Sequence, residues 1–391
     1  MHLKFAKAAA RVAAAGAVVA AVGLGSAQAA FAKPPPEVIN VPCSAVALAS
    51  DISGNSGGET LSLAKFCVYK LTAALPDITE DLTIDGNQGT IERSYAQGTP
   101  DFRIFTSEED LVLNHVNIRN GDAGDEDGGA IYVDDGTVTV NGGTFTGNIA
   151  DDDGDGGAIY NGSELRVNGA SFTGNIAGDG GDGDGGAIYN DDDARVTGSS
   201  FKGNGADDGG AIYINDSTVV ADCNFTGNGA DEGGAIDVED GSPTVTGSGF
   251  YKNEAEYGGG IYTDDELTLI GGSFRLNQVS EDGGGLYNED GTTVNGTTFA
   301  NNTAESDGGG LYNEDDTTLN GVGFQQNQAE VGGGIYNDDD LVISDSQTVR
   351  NSATSDGGGI YNDDTVSPTN DVWAQNRPDN CAGNSVTGCT G

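Results

Sequence analysis

Positive charge is scarce in this sequence. Its 391 residues carry 16 Lys and Arg against 62 Asp and Glu, for a formal net charge of −46. Phosphate backbones are gripped by clustered Lys or Arg. Nucleic acid is therefore excluded as a natural partner, and an anionic membrane surface with it. Cations are the natural counter-charge. Histidine is nearly missing, with His2 and His115 the two examples. Methionine and tryptophan occur once each. There is no zinc motif, nucleophile elbow or phosphate loop. No apolar run reaches the roughly 18–20 residues that cross a bilayer, so no membrane span is expected.

Low hydrophobicity with high net charge usually marks a disordered chain. Here it does not, because the apolar residues recur in fixed phase. Gly-Gly-(Ala or Gly)-(Ile or Leu)-Tyr is written ten times, with Asp replacing Tyr once. The copies end at Tyr132, Tyr160, Tyr189, Tyr213, Asp237, Tyr262, Tyr287, Tyr312, Tyr336 and Tyr361, in steps of 28, 29, 24, 24, 25, 25, 25, 24 and 25 residues. So steady a period means a stack of near-identical coils, each touching only its neighbours.

Residues 1–29 form a separate object. Lys4, Lys7 and Arg11 precede the short apolar run Val12–Leu24, and Ala27-Gln28-Ala29 is a small-x-small cleavage site. This is the pattern of a secretory signal peptide, too short for a membrane span. An exported chain meets oxidising conditions, so its cysteines are expected to pair. Cys43 with Cys67, and Cys381 with Cys389, are the predicted staples at the two ends, which leaves Cys223 as a buried free thiol.

Within each repeat an acidic turn follows Tyr, and a short strand follows with apolar residues two apart, such as Val138 and Val140 or Leu267 and Leu269. A Gly or Ser corner then precedes a column of Phe145, Phe172, Phe201, Phe225, Phe250, Phe274, Phe299 and Phe324. Three residues after each stands Asn148, Asn175, Asn204, Asn228, Asn253, Asn277, Asn302 or Asn327. Trp373 and Asn376 repeat the pair without their own Gly-Gly and read as a closing half-coil. Such short strands suit an all-β, single-stranded right-handed parallel β-helix, a solenoid with coils of about 24–25 residues. Its coils would stack at about 4.8 Å, with Phe on Phe, Asn on Asn and Tyr on the outer face. The predicted organisation is a signal peptide (1–29), disulfide-stapled entry coils (30–120), ten acidic repeats (121–366) and a cap (367–391), in a monomer.

The alternation of Gly-Gly-Ala-Ile with Phe-x-x-Asn resembles the repeat of the chlamydial polymorphic outer membrane proteins. More broadly the chain is similar to secreted bacterial β-helix proteins of the pectin-lyase-like superfamily. Its opening segment, with Cys43, Leu61-Ser62-Leu63, Cys67 and Leu82-Thr83-Ile84-Asp85-Gly86, resembles the first coils of exported actinobacterial members. The outer membrane proteins carry a C-terminal membrane barrel. None follows the last coil here, so autotransport is not expected.

The resemblance implies two chemistries. Pectin-lyase-like enzymes use clustered Asp with a basic residue nearby, but no such cluster carries over residue by residue. His115 lies in an alternating segment and is expected on the surface rather than as a catalytic base. Residues 121–366 hold 48 acidic side chains and six basic ones, so paired carboxylates are everywhere and no single pair is informative. Calcium is the better lead. The two longer repeats place their extra residues in Asp151-Asp152-Asp153-Gly154-Asp155-Gly156 and Asp179-Gly180-Gly181-Asp182-Gly183-Asp184-Gly185. The first fits Asp-x-Asp-x-Asp-Gly, the opening of a calcium loop, although its twelfth position is Gly162 rather than Glu. Asp151, Asp153, Asp155, Asp182 and Asp184 are the candidate ligands. The predicted role is a secreted, non-catalytic rod that presents an acidic, calcium-binding face to extracellular protein or carbohydrate. The alternative is a polysaccharide lyase or glycoside hydrolase.

Overall fold

A computed structural model describes residues 37–390; the predicted signal peptide lies outside them. These residues wind into a parallel solenoid with three long sheets. The first sheet has 14 strands, from Val38–Val41 to Val366–Thr369. The second has 13, from Val68–Leu71 to Val372–Ala374, and the third 12, from Phe105–Ser107 to Cys381–Gly383. Each turn of the chain adds one strand to each sheet, paired in parallel with its equivalent one turn away. Five short strands, from Glu254–Ala255 to Ser352–Asp356, form a further sheet in the later turns.

The register puts like on like. Phe145 pairs with Phe172, Phe172 with Phe201, and so on to Phe324. All eight rings are buried, and successive centroids stand 4.4–4.9 Å apart. Each such side chain contributes about 1.5–3 kcal/mol through burial. The inner Ile and Leu of the third sheet stack in the same way.

The Asn column forms a continuous buried ladder. Asn148 donates from its backbone N–H and its Nδ2 to Asn175 Oδ1, at 3.1 and 2.9 Å. Asn175 Nδ2 in turn donates to Phe145 O at 3.2 Å. The pattern recurs through Asn204, Asn228, Asn253, Asn277, Asn302 and Asn327. A second ladder, not anticipated from the sequence, follows the Tyr column. Asn161 donates to Asn190, and Asn288, Asn313, Asn337 and Asn362 form a second run.

Sharp corners hold the turn. The first residue of each Gly-Gly has a positive φ, as at Gly209 (+60°) and Gly233 (+58°). The second answers to space: a Cβ on Gly157 would lie 2.4 Å from Gly186 O, a backbone atom of the next coil.

Two features depart from the sequence reading. The entry segment contains a helix, α1 (Ala45–Ser53), where coils alone are predicted. Ser44 caps it by accepting from Ala47 N, and Leu48 and Ile52 are buried against the first coil. At the other end Trp373 does not close the solenoid. Cys381–Gly383 pairs with Ile360–Asn362 and adds one more rung to the third sheet. Disulfides join Cys43 to Cys67 and Cys381 to Cys389, while Cys223 is free and buried.

Candidate functional site

The outer side of the third sheet concentrates the chemistry. In nine of its strands Ile or Leu points in and the next residue, Tyr, stands on the outer side. The tyrosines stack in two runs: Tyr132 to Tyr213, and Tyr262 to Tyr361. Ring centroids within the runs are 4.7–5.3 Å apart. Flanking turns cover much of this stack, and Tyr213, Tyr262 and Tyr287 are only 6–8% exposed. The hydroxyls of Tyr262 and Tyr287 reach the acidic turns. Tyr262 Oη donates to Glu289 at 2.5 Å, and Tyr287 Oη to Glu314 at 2.8 Å.

Two acidic columns border the tyrosines. The turn after Tyr is an exposed ridge that includes Asp134, Asp135, Asp191, Asp192, Asp193, Glu289, Asp290, Asp363 and Asp364. The column before Gly-Gly is half-buried, and its carboxylates are built into the backbone. Asp127 Oδ1 accepts from Asp155 N (3.1 Å), Asp155 Oδ1 from Asp184 N (2.9 Å), Asp208 Oδ1 from Glu232 N (3.2 Å), and Asp282 Oδ1 from Asp307 N (2.7 Å). Burial first, and like-charged neighbours second, raise five of the carboxyls in this column above their ordinary range. Asp155, Asp208 and Asp307 are pushed up to about 6, Glu232 to about 7 and Asp184 to about 8. A raised carboxyl often marks a catalytic acid. Here the same cause acts in several turns, at Asp155, Asp184, Asp208, Glu232 and Asp307, so the shift marks a crowded ladder.

Of the predicted calcium ligands, Asp155 and Asp184 stand in this half-buried column, one turn apart. Asp153 and Asp182 are exposed on the longer turns, and Asp151 lies in the strand Ile149–Asp152. Among the described residues, two acidic groups have carboxylate oxygens within 4.8 Å of one another: Asp208, Glu232 and Asp237, and Asp339, Asp340 and Asp364. The second group has no buried member.

Asp237 occupies the rung where Tyr is missing. It pairs in register with Tyr213 on one side and Tyr262 on the other. It is 2% exposed, and its Oδ1 is buried with no hydrogen-bond partner. Burial holds its carboxyl well above the usual range, and Asp208, Glu232, Asp264 and Glu239 add to the shift. Asp264 Oδ1 is likewise buried without a partner. The signal in the sequence was the single departure from the Tyr column.

His115 is exposed, at φ +51°, in a shallow groove with Lys65, Asp85, Asn87 and Asn117. A second groove lies over the first sheet, where Arg166 and Arg195 stack in register beside Glu164 and Asp193. Burial raises the Cys223 thiol to about 11, which leaves it unreactive at neutral pH.

Residues 84–274 match the model of the right-handed beta helix region, and residues 296–314 match the Chlamydia polymorphic membrane protein repeat. No curated protein and no solved structure matches the chain. The two disulfides fit an extracellular location. Parallel register, stacked Phe and Asn ladders and both matches lead to one fold assignment: the described residues form a parallel β-helix, similar over residues 84–274 to the right-handed beta helix region and over residues 296–314 to the polymorphic membrane protein repeat.

Proposed function

We propose that this protein is a secreted, non-catalytic β-helix that acts at or near the cell surface, as a monomer, by presenting its acidic ridge to extracellular protein or carbohydrate. The observation that carries this reading is the uniformity of the ridge. Exposed carboxylates follow Tyr in most turns, at the strand spacing, with the turn after Tyr160 (Asn161-Gly162-Ser163) the exception, so the solenoid offers one extended binding face instead of a single pocket. Extended concave or flat faces are the usual binding surfaces of repeat folds. The ridge is complementary to cationic protein segments, and to glycans bridged by a divalent cation.

The groove with Arg166, Arg195, Glu164 and Asp193 favours a second reading, cleavage of an acidic polysaccharide. It holds two of the six basic residues of the repeat region. One experiment separates the two. The mature protein is applied to a glycan and protein array and, in parallel, incubated with acidic polysaccharides. The rod reading expects retention on the array with no release of reducing or unsaturated ends. Turnover that disappears in Arg166→Ala and Arg195→Ala would establish the enzyme instead.

A further inference from the structure

We propose that Asp208, Glu232 and Asp237 form a discrete calcium site, created where the tyrosine stack is broken. This site goes beyond the acidic binding face and does not depend on which partner that face takes.

The first observation is the break itself. Rings on either side stack about one strand spacing apart, as Tyr189 on Tyr213 (5.0 Å) and Tyr262 on Tyr287 (5.0 Å). Asp237 replaces a phenol ring with a much smaller carboxylate, so the rung between Tyr213 and Tyr262 loses most of its side-chain volume. The second observation is the orphan oxygen. A fully buried carboxylate oxygen without a donor costs several kcal/mol unless a cation or proton satisfies it. Asp237 Oδ1 is such an atom, and Asp264 Oδ1, close by, is another. The third is convergence. Asp208 and Glu232 come from the bends of two successive turns, joined by a parallel bridge, and their oxygens lie within 4.8 Å of each other and of Asp237. Among the described residues no Lys or Arg forms an ion pair with any of these carboxylates.

The donor set selects the ion. All the groups are hard oxygens, which excludes the softer transition metals as preferred occupants. Calcium bonds oxygen at about 2.3–2.6 Å, so ligand oxygens up to about 4.8 Å apart can share it. Magnesium gives up water reluctantly and is usually held by one or two carboxylates, which suits three converging carboxylates poorly. Three carboxylates from three places in two turns would cross-link the coils at the point where ring stacking is interrupted. The cation thus stands in for the missing tyrosine.

The test uses the full chain, stripped of metal with a chelator and titrated with terbium, which shares calcium's preference for oxygen and luminesces when excited through nearby tyrosine. Wild type is expected to give a saturable one-to-one signal, displaced by calcium and not by equimolar magnesium. Asp237→Asn is expected to weaken binding by roughly tenfold or more, since one charged ligand is lost. Asp237→Tyr restores the repeat and is expected to keep the solenoid's circular dichroism while abolishing the saturable signal. Asp81→Asn, exposed in the entry coils and off the ridge, leaves it unchanged. A signal that only rises without saturating, or one that persists in both Asp237 variants, overturns the proposal. Should Asp237→Tyr fail to fold, the near-isosteric Asn variant decides alone.

Discussion

At the scale of single residues, stability rests on groups that satisfy one another between turns. Asn253 Oδ1 accepts both the backbone N–H and the Nδ2 of Asn228, and its own Nδ2 donates to Phe225 O and Asn277 Oδ1. Asn253→Ala therefore takes the acceptor from two buried Asn228 donors, at about 1–3 kcal/mol each, and removes the donor to Phe225 O. We expect a loss of about 3 kcal/mol or more in chemical denaturation. Asn320→Ala, in an exposed Asn pair linked at 3.5 Å, should change stability by under about 0.5 kcal/mol. The half-buried carboxylates make a second residue-scale prediction. In the folded state Asp155, Asp208 and Asp307 hold protons up to about pH 6, Glu232 to about 7 and Asp184 to about 8. In the unfolded chain the same groups ionise near 4. Between those limits the folded state binds more protons, so stability falls as pH rises. Metal-free protein should therefore melt at a higher temperature at pH 5 than at pH 8. A midpoint that rises across that interval would contradict the crowded-ladder account.

At the scale of the coil, three corners per turn set the winding, and each makes its own demand. Gly209 has φ +60°, and a Cβ there would meet Ile212 O at 2.6 Å. Gly271 has φ +68° but no atom within 4 Å of the same position. Gly271→Ala should cost only the left-handed penalty, about 1–2 kcal/mol. Gly209→Ala should cost clearly more, because backbone of its own turn must move as well. Urea midpoints of the two variants give the comparison, and equal losses would mean that the Gly-Gly corner is not sterically closed. This corner also shows what was legible in the sequence. The period, the parallel register and the Phe and Asn ladders follow from spacing alone, because every turn writes them again. What the sequence hid occurs once or depends on distance. Helix α1 is a single element whose Ala-rich stretch has no repeat to compare with. The second Asn ladder is interrupted by Ile214, Val238 and Thr263, so it does not read as a column. Asp237 looks like one more acid among 62. It becomes distinct only when burial, an unpartnered oxygen and two converging carboxylates are seen together.

At the scale of the solenoid, the repeats stabilise one another only through nearest neighbours, so the ends decide whether the stack stays single. An open end offers unpaired strand edges and a cross-section of core, a template for another copy. The first turn is covered by α1, whose Leu48 and Ile52 are 0% and 4% exposed. Tyr69 ties the same turn together, accepting from Ala64 N at 2.8 Å and donating to Val41 O at 3.1 Å. The Cys43–Cys67 disulfide fixes the start of this cap to the second sheet across a separation of 24 residues. Cys381–Cys389 spans only 8. Chain-entropy estimates are roughly 3.5 kcal/mol for the longer loop and roughly 2.5 kcal/mol for the shorter. Replacing both Cys43 and Cys67 by Ser should therefore lower the unfolding midpoint more than the same change at Cys381 and Cys389. It should also have an effect the local free energy does not contain. Once α1 can lift from the first coil, Leu48, Ile52 and the strand edges beneath them are exposed, and concentration-dependent end-to-end association should appear in light scattering. If the N-terminal double variant is destabilised yet remains monomeric across concentrations, the helix contributes only to local stability, and the high net negative charge alone keeps neighbouring solenoids apart.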